Sequence, residues 1–383
     1  MNRKEFIKIC GLFGLGLTTQ PLLSAFSAPK DFKGNVLIIG AGAAGLSAGY
    51  LLQQQGIEFQ ILEASSQYGG RMKRHSDFAN FPIPLGAEWL HTSTKIFDEI
   101  VNDESVNITI TTKGYDHKKD YGLYEGYRIT VREVGFNKDR KFINATWFDF
   151  FEQYIVPSIS EKISYNKVVT AIDYSQQKVV VQTENETFSA DKVIFTAPLK
   201  ILQSGSISFK PQLPTYKQKA ISNTTVWDGC KAFIEFSEKF YPTFLAFEMD
   251  ETQGQKLYYD AAYGQNTSQH ILGLFAVGKE ATFYNKLKPE DLIKQILAEL
   301  DNALDGQASK HYIKHIFQNW NKEPHIHGAY ASDQENWARI QKLGRSVDDK
   351  LFFAGTAYTD GSNWGSVDAA AVSAQQAVSE LLG

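Results

Sequence analysis

The first apolar segment of the chain is continuous rather than alternating: Asn35-Val36-Leu37-Ile38-Ile39 runs unbroken into Gly40. A short apolar run closed by glycines predicts a strand buried on both faces, as in a parallel sheet. Residues 46–55 then take on helical character, and Phe59-Gln60-Ile61-Leu62-Glu63 predicts a second strand that ends in an acid. Much later, Leu292, Ile293, Ile296, Leu297 and Leu300 recur at helical spacing within Pro289–Ala303, which predicts a helix packed on a core by one face. The polar stretch 113–135 reads as loops or short antiparallel strands. No internal repeat or low-complexity linker interrupts the pattern.

The N-terminus follows a different grammar. A basic head, Asn2-Arg3-Lys4-Glu5-Phe6-Ile7-Lys8, precedes a weakly apolar run over 9–17, and Ala25-Phe26-Ser27 offers small residues to a peptidase. Gly11, Gly14, Gly16, Thr18, Thr19 and Gln20 break the run before Pro21, so a membrane-spanning helix of about 20 apolar residues is not expected. Residues 1–27 are therefore read as an export signal leading to the periplasm. The alternative is a disordered or amphipathic extension on a cytoplasmic protein. Arg3-Lys4-x-Phe6-Ile7-Lys8 resembles a twin-arginine signal, with Lys4 where the second arginine is usual. That route carries folded cargo, which suits a protein that loads a cofactor before export. Of the two cysteines, Cys10 would leave with the signal, so Cys230 has no partner for an internal disulfide.

Composition narrows the class. With 383 residues, 43% hydrophobic and 21% charged, the chain has material for two or three compact units and is neither disordered nor disulfide-stapled. Lys+Arg at 39 against Asp+Glu at 43 leaves a net charge of -4, with no footprint for binding nucleic acid. Aromatic residues at 13% fit the shelter of a flat apolar ligand, although core packing accounts for most of them.

The chemistry begins at Gly40-Ala41-Gly42-Ala43-Ala44-Gly45. Gly40 permits a tight strand-to-helix turn, Gly42 lets backbone approach a pyrophosphate, and Gly45 lets helix and strand pack closely. Glu63 follows about 20 residues on, where a dinucleotide fold places the acid that accepts ribose hydroxyls. Gly45-Leu46-Ser47-Ala48-Gly49 also matches the nucleophile elbow of serine hydrolases. However, Ser47 comes after the whole glycine turn and falls inside the helix, which defeats that reading. His311 and His315 are four apart and His325 and His327 two apart, but no Glu or Cys set completes a metal site, so none is expected. Glu63-Ala64-Ser65-Ser66-Gln67-Tyr68-Gly69-Gly70-Arg71 lets the chain run against a ligand, with Arg71 able to pair with a pyrophosphate.

This last segment resembles the flavin-containing amine oxidases, the group of monoamine, polyamine and histone-demethylase-type oxidases. Further blocks resemble the same family in the same order. They are Pro84-Leu85-Gly86-Ala87-Glu88-Trp89-Leu90-His91, Val169-Thr170-Ala171-Ile172-Asp173, the strand ending at Thr196-Ala197-Pro198, Gly229-Cys230-Lys231, Trp320 with Pro324, and Gly328-Ala329-Tyr330. The series closes with Ala354-Gly355-Thr356 and Asn363-Trp364-Gly365-Ser366-Val367-Asp368. The resemblance implies an α/β fold: a Rossmann-like FAD-binding domain built from residues 34–90, 165–205 and 345–383, interleaved with an α+β substrate domain built from 91–164 and 206–344. It implies FAD contacts at Gly40, Ala41, Gly42, Ala44, Gly45, Glu63, Ala64, Gly70, Arg71, Gly86, Ala87, Glu88, Trp89, Val169, Trp320, Gly355, Thr356, Trp364, Ser366 and Val367. The FAD would be non-covalent, since Ala329 stands where covalent members carry the attaching Cys.

The catalytic residues implied are Lys231, which holds a water against flavin N5 in the family, with Tyr330 and His91. On spacing alone Lys231 would instead be a surface strand lysine. Tyr330 matches one wall of the aromatic cage of monoamine oxidases, Ser366 stands in place of the second, and Trp364 lies two residues earlier as a substitute. His91 points to the polyamine branch and Thr356 to the monoamine branch. The implied reaction is oxidation of a carbon–nitrogen bond of a primary or secondary amine by hydride transfer to flavin N5, with O2 reduced to hydrogen peroxide. A flavin dehydrogenase or desaturase on a non-amine substrate, and a flavin-binding interaction protein without turnover, remain as alternatives.

Overall fold

Asn35–Ile39 is the centre of a five-stranded sheet in the order Ile163–Ser164, Glu58–Leu62, Asn35–Ile39, Lys192–Phe195, Leu351–Phe353, with every pair parallel. Successive side chains of a strand point to opposite faces, and both faces here are covered. Val36 and Ile38 lie in one core with the helices Ala43–Gln54 and Val367–Leu382. Leu37 and Ile39 lie in another, against an antiparallel layer that includes Val169–Asp173 and Val179–Thr183. Burial on both sides is why the run shows no polar alternation. The computed structural model describes residues 32–116, 121–126, 128–132, 139–332 and 335–383; the export signal read over 1–27 lies outside them.

The second half of the molecule is a seven-stranded sheet in the order Tyr312–Asn319, Gly229–Phe236, His270–Gly278, Gly254–Asp260, Phe244–Phe247, Tyr121–Tyr124, Ile129–Arg132. Its pairs are antiparallel except Phe244–Phe247 with Tyr121–Tyr124. The helix Pro289–Ala303 forms where the spacing predicts it, with Pro289 at its start and Leu292, Ile296 and Leu300 buried. Within the polar stretch, Tyr121 and Leu123 are core residues of the sheet.

The division between the halves differs from the one drawn on motif ends. Ile163–Ser164 pairs with Ile61 and Leu62, and Ser208–Lys210 pairs in parallel with Ala171–Asp173, so both belong with the nucleotide-side layers although they fall in segments read as substrate domain. Trp147–Tyr154, also read as substrate domain, packs Trp147, Phe148, Phe150 and Phe151 into the core under the glycine helix. A two-residue strand is too short to leave a periodic signal. The histidines four apart do not share a helix: His311 ends the helix Gln307–His311 and bonds Ser237 Oγ at 2.9 Å, while His315 sits on the following strand. Among the described residues no group of three or more His, Cys, Asp or Glu is placed to hold a metal, and no helix is long and apolar enough to cross a membrane.

Candidate active site

The glycine turn has the geometry its sequence demands. Gly40 adopts φ +102°, and a Cβ on Gly45 would lie 1.9 Å from the Gly40 carbonyl oxygen. A Cβ on Gly42 would meet nothing within 4 Å, and the helix that starts at Ala43 has neither a side-chain cap nor an acid in its first turn. Its leading N–H groups, Ala44 and Gly45 included, have no acceptor within the helix and lie at the positive end of the helix dipole, which suits a phosphate. Ser47, on the second turn, buries a hydroxyl without a hydrogen-bond partner among the described residues.

Glu63 is tied to this turn from the neighbouring strand. Its Oε2 accepts from Ala41 N at 2.6 Å and its Oε1 from Ser65 N at 2.8 Å, so the carboxylate organises the loop and keeps further lone pairs for ligand hydroxyls. The Glu63 carbonyl accepts from Lys167 N at 2.8 Å, bringing the strand that begins at Val169 to the Glu63-Ala64 turn.

Arg71 links three distant segments. After Gly70 (φ +54°), its guanidinium donates to the Ala329 carbonyl and, at 2.9 Å, to Thr356 Oγ1. Among the described residues its partners are neutral oxygens rather than a carboxylate, and burial lowers its pKa to about 10. A desolvated cation held by neutral acceptors is suited to an anionic ligand. Arg71, Ala329, Tyr330, Gly355 and Thr356 line one pocket together with residues 196–200. The residues present therefore fit the diphosphate and ribose of FAD.

The segment 84–91 is locked against Arg71. A Cβ on Gly86 would lie 1.8 Å from the Arg71 carbonyl oxygen, Ala87 N donates to that oxygen at 3.0 Å, and Trp320 Nε1 donates to Leu85 O at 3.0 Å. Beyond it, Glu88 and Trp89 are buried and Trp89 Nε1 donates to Tyr115 Oη at 2.8 Å. His91 Nδ1 meets Asp139 Oδ1 at 2.9 Å. Burial lowers the His91 pKa, but Asp139 and Asp368 outweigh it and the net shift is upward.

Lys231 is not a surface lysine. It is 3% exposed, with Nζ donating to Glu88 Oε2 at 2.7 Å and to Pro84 O at 3.1 Å. Burial pulls its pKa down, against the opposing pull of Glu88, to about 8. Glu88 also accepts from Lys141 and Tyr259, partners that sequence reasoning missed. Burial raises the Glu88 pKa, but the two lysines outweigh it and the net shift is downward.

The cage residues resolve differently from the expectation. Trp364 does not supply a second wall: its indole donates to Ser332 O at 3.0 Å and packs on the nucleotide-side core. The backbone of Gly365 faces the Tyr330 ring instead, since a Cβ there would lie 3.4 Å from Tyr330 Cδ2. Trp227 is an aromatic neighbour of Tyr330, with centroids 6.1 Å apart, another residue the motifs did not flag. Ser366 is the N-cap of Val367–Leu382, accepting from Ala369 N.

Comparison with known proteins agrees with this arrangement. The model of the flavin containing amine oxidoreductase family matches residues 151–382, more than half of the chain. The chain belongs to that family. As a flavin amine oxidoreductase it is an FAD-dependent enzyme, and its residues 38–102 also match an NAD(P)-binding Rossmann-like domain. It is similar to probable polyamine oxidase 4 of Arabidopsis thaliana, at 24% identity over 86% of this chain and 83% of that protein. Polyamine oxidase 1 of Zea mays is 26% identical over 60% of this chain and 65% of that protein. Among solved structures, cyclohexylamine oxidase from Brevibacterium oxydans superposes with a TM-score of 0.75 at 15% identity, covering 92% of this chain and 99% of that one. Putrescine oxidase bound to putrescine gives 0.71 at 14%, covering 91% and 98%. These likenesses establish the shared α/β fold of this oxidoreductase.

Glu63→Ala removes the bonds to Ala41 N and Ser65 N that organise this loop, and the carboxylate read as the acceptor for ribose. With each charge-assisted bond contributing about 1.5–3 kcal/mol, FAD affinity is expected to fall by one or more decades. Dialysis followed by the flavin-to-protein absorbance ratio measures this. Full retention of flavin would remove Glu63 from the cofactor site.

Proposed function

We propose that the protein is an amine oxidase acting on the carbon–nitrogen bond of a primary or secondary amine, with O2 as electron acceptor. The observation that carries this reading is the convergence of Arg71, Thr356 and Tyr330, from three distant segments, on one cavity in a chain of this family. FAD, when bound, supplies the acceptor for the hydride equivalent leaving the amine's α-carbon, and passes the electrons on to O2 to give hydrogen peroxide. The protein's own residues bind, orient and exclude water. The glycine turn and Arg71 hold the diphosphate, and Glu63 the ribose. Tyr330, backed by Trp227, gives one aromatic face to the amine. Lys231 places a buried positive charge beside the reacting ring, where negative charge develops, and Asp139 fixes the orientation of the His91 imidazole. The names of the relatives, polyamine, putrescine and cyclohexylamine oxidases, support an amine as substrate over the dehydrogenase and non-turnover readings.

Anaerobic mixing with monoamines, polyamines and amino acids tests the function. At least one amine is expected to bleach the flavin, and admitting air to yield peroxide. Failure of every amine tested to bleach the flavin would overturn the reading.

FAD is held without a covalent link, because Ala329 offers no thiol and its carbonyl is engaged by Arg71. Acid precipitation is expected to release the yellow colour completely; flavin kept in the pellet would refute this.

Residues 1–27 direct the protein to the periplasm. Cell fractionation is expected to find a shortened chain there, and an intact N-terminus in the cytosol would show the signal does not function.

A further inference from the structure

Two lysines and one carboxylate are buried together. The Glu88 side chain is 0% exposed and those of Lys231 and Lys141 are each 3% exposed. Lys231 takes Oε2 at 2.7 Å, Lys141 takes Oε1, and the Tyr259 hydroxyl donates to Oε2 at 2.8 Å. They come from three parts of the chain: the segment before Trp89, the strand Arg140–Phe142 and the strand Gly229–Phe236. Rings of Trp89, Phe233 and Tyr259 stand 5.4–5.5 Å from Lys231 Nζ. With all three groups ionised the trio carries one uncompensated positive charge. A second buried lysine adds desolvation cost and like-charge repulsion without adding an anion, so stability alone does not account for it.

We propose that Glu88 is the positioning residue of the reaction centre: through Lys231 it sets whether a positive charge stands beside the bound flavin, and Lys141 biases that charge from the other oxygen of the same carboxylate. The inference rests on the placement of Lys231 beside the flavin given above. An ammonium has three N–H donors; Pro84 O and Glu88 take two, and the third has no partner among the described residues. The two neighbours act on this ammonium in opposite senses. Burial pulls its pKa down, Glu88 pulls it up, and Lys141 pushes it down again, leaving it near 8. Loss of Glu88 strips both lysines of their counter-ion. Loss of Lys141 deletes a like charge and leaves the whole carboxylate to Lys231.

The other titratable groups facing the trio behave differently. Burial pushes the hydroxyls of Tyr259 and Tyr115 well above the ordinary tyrosine range, so both stay neutral near pH 8. Beyond Trp89 lies the His91–Asp139 pair, where burial disfavours the charged ring but Asp139 and Asp368 hold it toward its protonated form. A Lys231→Met protein keeps that pair and loses the lysine, which separates the two titrations.

The test uses the full-length holoprotein and its Glu88→Gln, Lys141→Met and Lys231→Met variants. Two quantities are followed from about pH 6 to about pH 10: the rate at which O2 reoxidises the reduced flavin, and the flavin midpoint potential relative to Lys231→Met at each pH. Lys231 is charged below its break and neutral above it, so in the unaltered protein both quantities fall as pH rises through about 8. Glu88→Gln is expected to move the break down by about one unit or more and to slow reoxidation at neutral pH about two-fold or more. Lys141→Met is expected to move it up, and Lys231→Met to abolish it. The double variant Glu88→Gln/Lys231→Met should reoxidise no more slowly than Lys231→Met, because Glu88 acts through the lysine. Shifts of the same sign, or no shift where Lys231→Met has an effect, overturn the role of Glu88. No effect of Lys231→Met overturns the placement of the lysine itself. If Glu88→Gln does not fold, the direction of the Lys141→Met shift decides: upward supports the proposal, and anything else overturns it.

Discussion

The architecture depends on Gly45 having no side chain. With a Cβ there 1.9 Å from the Gly40 carbonyl oxygen, the helix Ala43–Gln54 could not begin so close to the strand Asn35–Ile39. Set at that distance, the helix covers Val36 and Ile38, and the C-terminal helix packs beside it on the same face. The contact that closes the core also leaves the helix N-terminus bare at Gly42. The close packing and the bare helix N-terminus are thus one constraint, and Glu63 secures it by reaching across from the next strand to Ala41 N.

The two halves of the molecule meet at a segment held from both sides. Gly86 is pressed on the Arg71 carbonyl in the nucleotide half, and two residues later Glu88 is gripped by Lys231 from the seven-stranded sheet. Lys231 is itself confined between neighbouring strands, opposite Phe275 on one side and Gln318 on the other. A buried ion pair contributes little net stability against well-packed apolar residues, because desolvation cancels much of the attraction. Breaking one costs far more, so such a pair resists displacement, and the interface is held in one register across a surface that would otherwise slide.

What was legible in the chain was what is local. Strand, glycine turn, helix, second strand and acid lie within 35–63, each dictating its neighbour through steric rules that span a few residues. The helix Pro289–Ala303 was legible for the same reason. The ion trio was not, because Lys141 stands 53 residues from Glu88, and a lysine taken alone reads as solvent-exposed. Trp227 escaped because it meets Tyr330 through an isolated bridge between Val226 and Ala331, which no periodicity announces. Trp364 misled because proximity in sequence to Ser366 says nothing of where an indole finds its acceptor. Family resemblance located the cleft, but the partners that set its electrostatics come from long-range packing.

The strand order of the parallel sheet carries a consequence for how the protein is made. Leu351–Phe353 forms one edge, and Val367–Leu382 packs on the helix that follows the first strand. The earliest strand–helix–strand unit therefore leaves the ribosome without the surface that covers it. Domains commonly fold in order of emergence, but neither half here is contiguous, so neither can. Gly355, Thr356 and Val367 join Arg71 and the glycine turn only after about 300 further residues have been added to that first unit. The slot between the glycine turn and Arg71 is completed only once the segment 351–382 has packed against the first strand–helix–strand unit.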